Sequence, residues 1–291
     1  MNMQSKLISG DFLVLAEMEP PKGVDVSHMV ESAVMVRGRV DAFVVPEMSN
    51  AVMRMSSLGG AILLQSKGFE AVMQLCCRDR NRLALQADLL AAEALGVANV
   101  MAVTGEDPSY GDHHKARAVY DIDLLELLHV IKTLQQGRDM AGVELRGAPS
   151  FLVGSFVNSG ATGGALDLEL QELDKKMAAG AEFFLTPPVF DLEAYASFSK
   201  KVGDRKGKII PTVLLLKSVG MARYIDRHLD NVSIPAAIIN RIQKAGDRVR
   251  ECVLIAAEIV RSLKEAGCCG VHIVTIGWEN KLLDILDAAR L

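Results

Sequence analysis

The sequence lacks several features that would direct a reading elsewhere. In its 291 residues no uninterrupted apolar run approaches the roughly 20 residues that a membrane-spanning helix needs. Positive charge is not in excess: 32 Lys and Arg stand against 36 Asp and Glu, a net charge of −4. These residues are scattered, so the basic footprint of a nucleic-acid binder is missing. The five cysteines fall as two adjacent pairs, Cys76-Cys77 and Cys268-Cys269, with Cys252 alone. Neighbours on a strand point to opposite faces, so an adjacent pair is poorly placed to grip one metal, and no zinc-type spacing occurs. They read as small apolar fillers in a reducing compartment, and no metal is expected. The opening residues "MNMQSKLISGDF" lack the charged-then-apolar layout of a signal peptide, so a cytoplasmic location is expected. No low-complexity stretch or Pro/Ser-rich linker divides the chain, which reads as one domain over 1–291.

What is present is a repeating pattern. Half of the residues are hydrophobic, ample for a large core. Eight short apolar runs recur: "FLVLAEM" (12–18), "DAFVVP" (41–46), "AVMQLCC" (71–77), "ANVMAVT" (98–104), "SFLVGSF" (150–156), "EFFLTP" (182–187), "IIPTVLLL" (209–216) and "GVHIVTI" (270–276). Near-continuous hydrophobic strands are what a parallel sheet covered by helices demands. Between them lie helix-period stretches, such as 82–95 closed by Gly96 and 168–180 closed by Gly180. The long stretch 236–267 contains Gly246, which predicts a break between two helices. Strands alternating with helices eight times predict an α/β fold, the (β/α)8 TIM barrel. An open doubly wound sheet would carry GxGxxG after its first strand. The nearest approach, "NSGATGGAL" (158–166), has the wrong spacing.

In such a barrel the chemistry sits at the C-terminal ends of the strands. The first run ends in Glu17, Met18 and Glu19, followed by Pro20 and Pro21. Period-2 alternation points Glu17 and Glu19 the same way. An acid at an apolar mouth is desolvated and becomes a proton donor near neutrality; the alternative is a solvated rim acid. The stiff Pro-Pro exit favours the first. The fourth run opens into "GEDPSYGDHH", where Gly105 permits close backbone approach and Glu106 and Asp107 add carboxylates. His113 and His114 in that loop are either ligands or exposed polar residues. The fifth run opens into a glycine-rich loop with Ser159 and Thr162 before a helix, either a phosphate cradle or a flexible turn, with Lys175 and Lys176 further along. The sixth ends in Pro187-Pro188. After the eighth stands Trp278, the single tryptophan, for ring stacking or for packing.

Taken together, "AEMEPPKG", "VMQLCCRDRNR", "VMAVTGEDP", "ARAVYDID", "DKKMAAGAEFFLTPPVFD" and "GVHIVTIGWEN" resemble the methylenetetrahydrofolate reductase family, in the family's order and over nearly the whole chain. The likeness is to the short bacterial form without a regulatory domain. It implies a TIM barrel holding a flavin, FAD or else FMN, and the reduction of 5,10-methylenetetrahydrofolate to 5-methyltetrahydrofolate. By position it implies Glu17 as the general acid and Glu106, where the family usually has Asp, as electrostatic support for a cationic intermediate. Thr104, Gly105 and Glu106 would line the flavin ring, Gln74 stands where many members carry His, and Tyr120 and Asp121 match flavin contacts. Phe156, Ala161, Glu169 and Lys176 correspond to positions near the adenosine and diphosphate. Pro187 replaces a folate-contacting Gln, Pro46 replaces a common Thr, and "LLLKSVG" lacks the aromatic residue set against nicotinamide. The implied electron donor is therefore either NAD(P)H or a reduced iron-sulfur partner. The chain is expected to assemble as a homo-oligomer or hetero-complex.

Overall fold

The computed structural model describes residues 2–291. Eight parallel strands close on themselves in sequence order: β1 (Leu13–Glu17), β2 (Ala42–Val45), β3 (Ala71–Cys76), β4 (Asn99–Val103), β5 (Leu152–Phe156), β6 (Phe183–Pro188), β7 (Ile209–Leu214) and β8 (Gly270–Val274). Each matches one of the apolar runs within a few residues. The last pairing, β1 with β8, sets Leu15 opposite His272 and leaves no sheet edge.

Alternation along each strand divides the core in two. Leu13, Leu15, Val44, Val72, Met101, Val103, Phe183 and Leu185 fill the barrel interior, while the odd-and-even partners such as Val14, Ala16 and Phe43 pack outward against the helices. Gly154 is required inside, because a Cβ there would sit 2.2 Å from the Phe183 ring. Helix Met3–Ser9 plugs the N-terminal mouth, with Met3 fully buried and its N–H donating to the Glu70 carboxylate. The interior column of β1 reads Leu13, Leu15, Glu17, so the third inward position is a carboxylate at the opposite mouth.

The helices largely follow the expected punctuation. Helix Arg82–Ala94 is capped by Asn81 and ends before Gly96, whose φ of 85° is the left-handed geometry of a helix end. The 236–267 stretch is indeed two helices, Ala236–Lys244 and Arg248–Glu265, parted at 245–247. One expectation is corrected: the helix predicted from 168 begins at Gly163. Its first turn holds Gly163 and Gly164, poor helix formers that hide the start, and Thr162 caps it without a side-chain hydrogen bond. The two prolines of β6 also have a physical compensation. Proline offers no N–H to the ladder, the register with β7 shifts between Leu185 and Pro188, and the Thr186 hydroxyl accepts the Thr212 N–H at 3.1 Å.

His272 is the one histidine of the interior, 3% exposed, with Nδ1 3.2 Å from the Thr212 hydroxyl and Nε2 without a partner. Burial alone drives its pKa down from 6.5 to about 3. The unfolded chain therefore takes up this proton first on acidification, so the contribution to stability is complete above pH 6.5 and is lost as pH falls. By linkage the wild type is expected to lose about 2 kcal/mol from this group between pH 7 and 5. Urea unfolding of His272→Gln at the two pH values checks this; an equal loss in the variant contradicts it.

Candidate active site

The exit of β1 is shaped by Pro20 and Pro21. Pro20 is buried against helix Ser57–Ser66 at Gly60, where an added Cβ would lie 3.1 Å from the Pro20 ring and 2.9 Å from Val45. The Pro21 carbonyl accepts the Met55 N–H at 3.0 Å. The chain therefore leaves the barrel along a fixed path, and the carboxylate of Glu17 stays at the top of the interior. It lines a cavity of about 410 Å³ with Gln74, Thr104, Gly105, Glu106 and Phe156. The strand-1 and strand-4 tips therefore face one space, as expected from the sequence.

Glu17 is partly open to that cavity but otherwise enclosed by protein. Its pKa is raised from 4.5 to about 8, first by burial and then by the negative charges of Glu19 and Glu279. At neutral pH it is mostly a protonated acid. The β4 loop supplies the facing group. Gly105 takes φ 83°, and a Cβ there would lie 2.1 Å from Cys76 Sγ, so only glycine lets the chain turn at this point. Tyr120 reaches over from its own left-handed turn (φ 39°) and donates its hydroxyl to the Gly105 carbonyl at 3.0 Å. Glu106 follows, half-exposed at the rim, its carboxylate 3.5 Å from Nη1 of Arg78.

The far end of the cavity is formed by Phe156, Asn158, Glu169 and Lys176. Lys176 donates to the Phe156 carbonyl at 2.8 Å and lies 3.8 Å from Glu169, while Glu169 accepts the Asn158 N–H at 3.0 Å. This places a cation and fixed loop backbone beside an exposed aromatic ring.

Other residues singled out from the sequence lie elsewhere. Glu19 does not share the cavity of Glu17: β1 ends at Glu17, and Glu19 turns into a separate cavity of about 200 Å³, paired with Arg54 at 2.7 Å. Its pKa is raised by burial, with Arg54 opposing. Asp107 is exposed and accepts the Ser109 N–H at the start of a 3₁₀ turn. Asp121 accepts from Arg82 at 2.8 Å and lines a cavity of about 640 Å³ on the outer side. Ala161 and Pro187 line neither space. Ser159 and Thr162 border a cavity of about 440 Å³ shared with 226–233, apart from Lys176. His113 is exposed and bonded to Asp112, and among the described residues no group of His, Cys, Asp and Glu could hold a metal. Trp278 packs on the core with Lys217 5.2 Å from its ring, outside the cavity. Of these spaces the 410 Å³ cavity holds the enclosed Glu17 with its raised proton affinity, which makes it the candidate active site.

Among the buried ionisable residues without a role in the reading of the sequence are Glu47, Arg78 and Glu279. Glu47 has a fully enclosed carboxylate that accepts the Ser57 N–H at 3.0 Å and its hydroxyl, with Arg80 at 3.3 Å. Arg78 is 1% exposed. Burial is the largest single influence and works against its charge, but Asp79, Cys76 and Glu106 together outweigh it and raise its pKa. Glu47 and Arg78 each follow an apolar run directly, the only signal available. Cys76, Cys77 and Cys252 are buried, and burial pushes the Cys76 thiol up to about 11, away from the reactive thiolate.

Comparison with known proteins fits this geometry. A family model described as methylenetetrahydrofolate reductase matches residues 2–290. A Schizosaccharomyces pombe protein named methylenetetrahydrofolate reductase 2 is 23% identical over 243 residues, covering 79% of this chain. The match spans only 37% of that relative's own length. Among solved structures, a Clostridium thermocellum protein described as binding two copies of 5-methyl-5,6,7,8-tetrahydrofolic acid aligns with TM-score 0.64 at 15% identity, covering 99% of this chain and 97% of its own. An EDTA monooxygenase from Chelativorans sp. BNC1 aligns with TM-score 0.56 at 12% identity, covering 96% and 93%. At such identities these two likenesses speak to the fold. The family match extends from end to end of the barrel, and the chain belongs to the methylenetetrahydrofolate reductase family.

Proposed function

We propose that this chain reduces 5,10-methylenetetrahydrofolate to 5-methyltetrahydrofolate with a bound flavin, FAD in the first instance. The observation that carries the reading is the enclosed Glu17, its proton affinity raised by burial, lining one cavity with Glu106. The cavity suits a flavin by its own chemistry. Ala102, Val103 and Phe156 offer apolar walls for a flat ring, Gln74 and the Thr104–Gly105 backbone offer polar groups at its edge, and Lys176 offers a cation for a diphosphate. When bound, the flavin supplies the hydride that the methylene carbon receives.

The residues account for the rest of the reaction. Glu17 holds a proton at neutral pH and delivers it to N10 of the folate, the C–N bond to N10 breaks with its electron pair staying on nitrogen, and the methylene remains on N5 as an iminium cation. Glu106 at the rim places its carboxyl group beside that cation, and hydride addition then neutralises it to the methyl group. Pro20 and Pro21 keep the acid in place through the cycle. A bound flavin would take its electrons from NAD(P)H or from a reduced iron-sulfur partner, and the segment 215–221 after β7, which offers no aromatic residue to set against a nicotinamide, favours the partner. Rapid anaerobic bleaching of the flavin by NADH would exclude the partner route.

Two further outcomes are expected. Glu17→Gln should lower folate reduction at least about 100-fold, the scale of general acid catalysis, while flavin binding and flavin reduction persist; an unchanged rate of folate reduction removes Glu17 from the mechanism. The same substitution should alter stability. The folded acid titrates near 8 and the unfolded one near 4.5, so the folded state holds its proton longer and the wild type loses stability as pH rises between these values. The loss from pH 5 to 9 is up to about 4 kcal/mol. Denaturant unfolding should show Glu17→Gln escaping it, and parallel pH dependences contradict the assignment.

A further inference from the structure

Arg78 stands just beyond the end of β3 and is among the largest fully buried side chains of the protein. Its contacts converge from different loops. Nε and Nη2 donate to the two carboxylate oxygens of Asp79 at 2.9 and 2.8 Å. Nη2 also meets the carbonyls of Glu47 and Met48, each at 3.4 Å, in the loop leaving β2. Nη1 donates to the Glu106 carbonyl at 3.3 Å and faces the Glu106 carboxylate at 3.5 Å, in the loop leaving β4. The Arg78 carbonyl accepts the Val119 N–H at 2.7 Å, which ties in the segment that carries Tyr120.

These segments need an external hold. Met48, Asn50, Ala51 and Tyr120 all take positive φ, between 39° and 55°. For residues with a side chain such geometry costs on the order of 1–3 kcal/mol each and persists only where the surroundings over-determine it. A planar fork with five N–H donors can satisfy carbonyls in several directions at once, which a lysine ammonium on a flexible stem cannot reproduce. Burying a charge here, when the surface lies one loop away, is costly unless its hydrogen bonds are complete. Here every nitrogen of the guanidinium has a partner.

We infer that Arg78 is the positioning residue of this site: its buried guanidinium locks the β2 and β4 loops into one frame and holds Glu106 at the cavity wall, and thereby sets the affinity of the cavity for a flat ring ligand. The inference rests on reading the cavity as a flavin site. It concerns a residue that lines no part of the cavity and acts only through Glu106 and the loop backbone.

The test compares wild type, Arg78→Lys, Glu106→Gln and the double variant as full-length chains, with FAD as the probe. Arg78→Lys keeps the charge and loses the fork. It should weaken FAD binding by about tenfold or more, the scale of a lost hydrogen bond to a charged group. Amides of 47–52 and 105–111 should exchange about tenfold faster, with those of the core helix Arg248–Glu265 unchanged. In the Glu106→Gln background the added loss of FAD affinity should shrink to about threefold or less, because coupled residues are not additive. Equal losses in both backgrounds, or faster exchange spread evenly over the barrel, overturn the inference. If Arg78→Lys does not fold, Asp79→Asn removes the bidentate anchor instead; loop-selective exchange supports the frame and its absence overturns it. A chain that binds no FAD refutes the flavin reading, and exchange on the unloaded chain still decides the role of Arg78.

Discussion

The account depends on the desolvation of one carboxyl group. A barrel strand that reads Leu13, Leu15, Glu17 inward carries its hydrophobic column up to the mouth and ends it with an acid. Withdrawing that acid from water disfavours its charged form, and the neighbouring charges of Glu19 and Glu279 push the same way. A group with an ordinary carboxylate pKa would be deprotonated in a neutral solution and useless as a donor. Moved to about 8, it holds a proton where a leaving nitrogen can take it.

Such a group must also be kept still, and the surrounding loops do this without regular secondary structure. Pro20 and Pro21 take the chain away over Gly60, so the acid cannot follow the loop outward. Asp112 joins the β1 loop through Lys22 to the β2 loop through the Met53 N–H. Arg78 adds the connection between the β2 and β4 loops. These ties lie at one end of a closed sheet whose interior packing fixes the strands first.

The fold was legible in the sequence because strands buried on both faces must be apolar throughout, and eight such runs separated by helix-period stretches admit few arrangements. Barrel topology brought the acids at the tips of strands 1 and 4 to one face, and the family resemblance singled out Glu17 and Glu106 among them. What local pattern could not show was the path of the chain after a strand. Glu19 keeps the parity of Glu17, yet the chain turns at Met18 and sends it to Arg54. Asp121 was matched by position to the cavity, but the nearby Arg82 holds it on the outer side. The buried charges were hidden for a related reason. Arg78 and Glu47 are satisfied by backbone groups and side chains from other loops, and a residue's own neighbours in sequence carry no trace of such partners.

The protonation state of Glu17 is the most direct measure of all this. Carboxyl carbon NMR of the glutamate-labelled chain, with the Glu17 resonance assigned by its disappearance in Glu17→Gln, reads it without substrate or cofactor. The account predicts a protonated carboxyl at pH 7 that titrates at about 8. A midpoint in the ordinary range of a solvated glutamate, about 4.3, would contradict it.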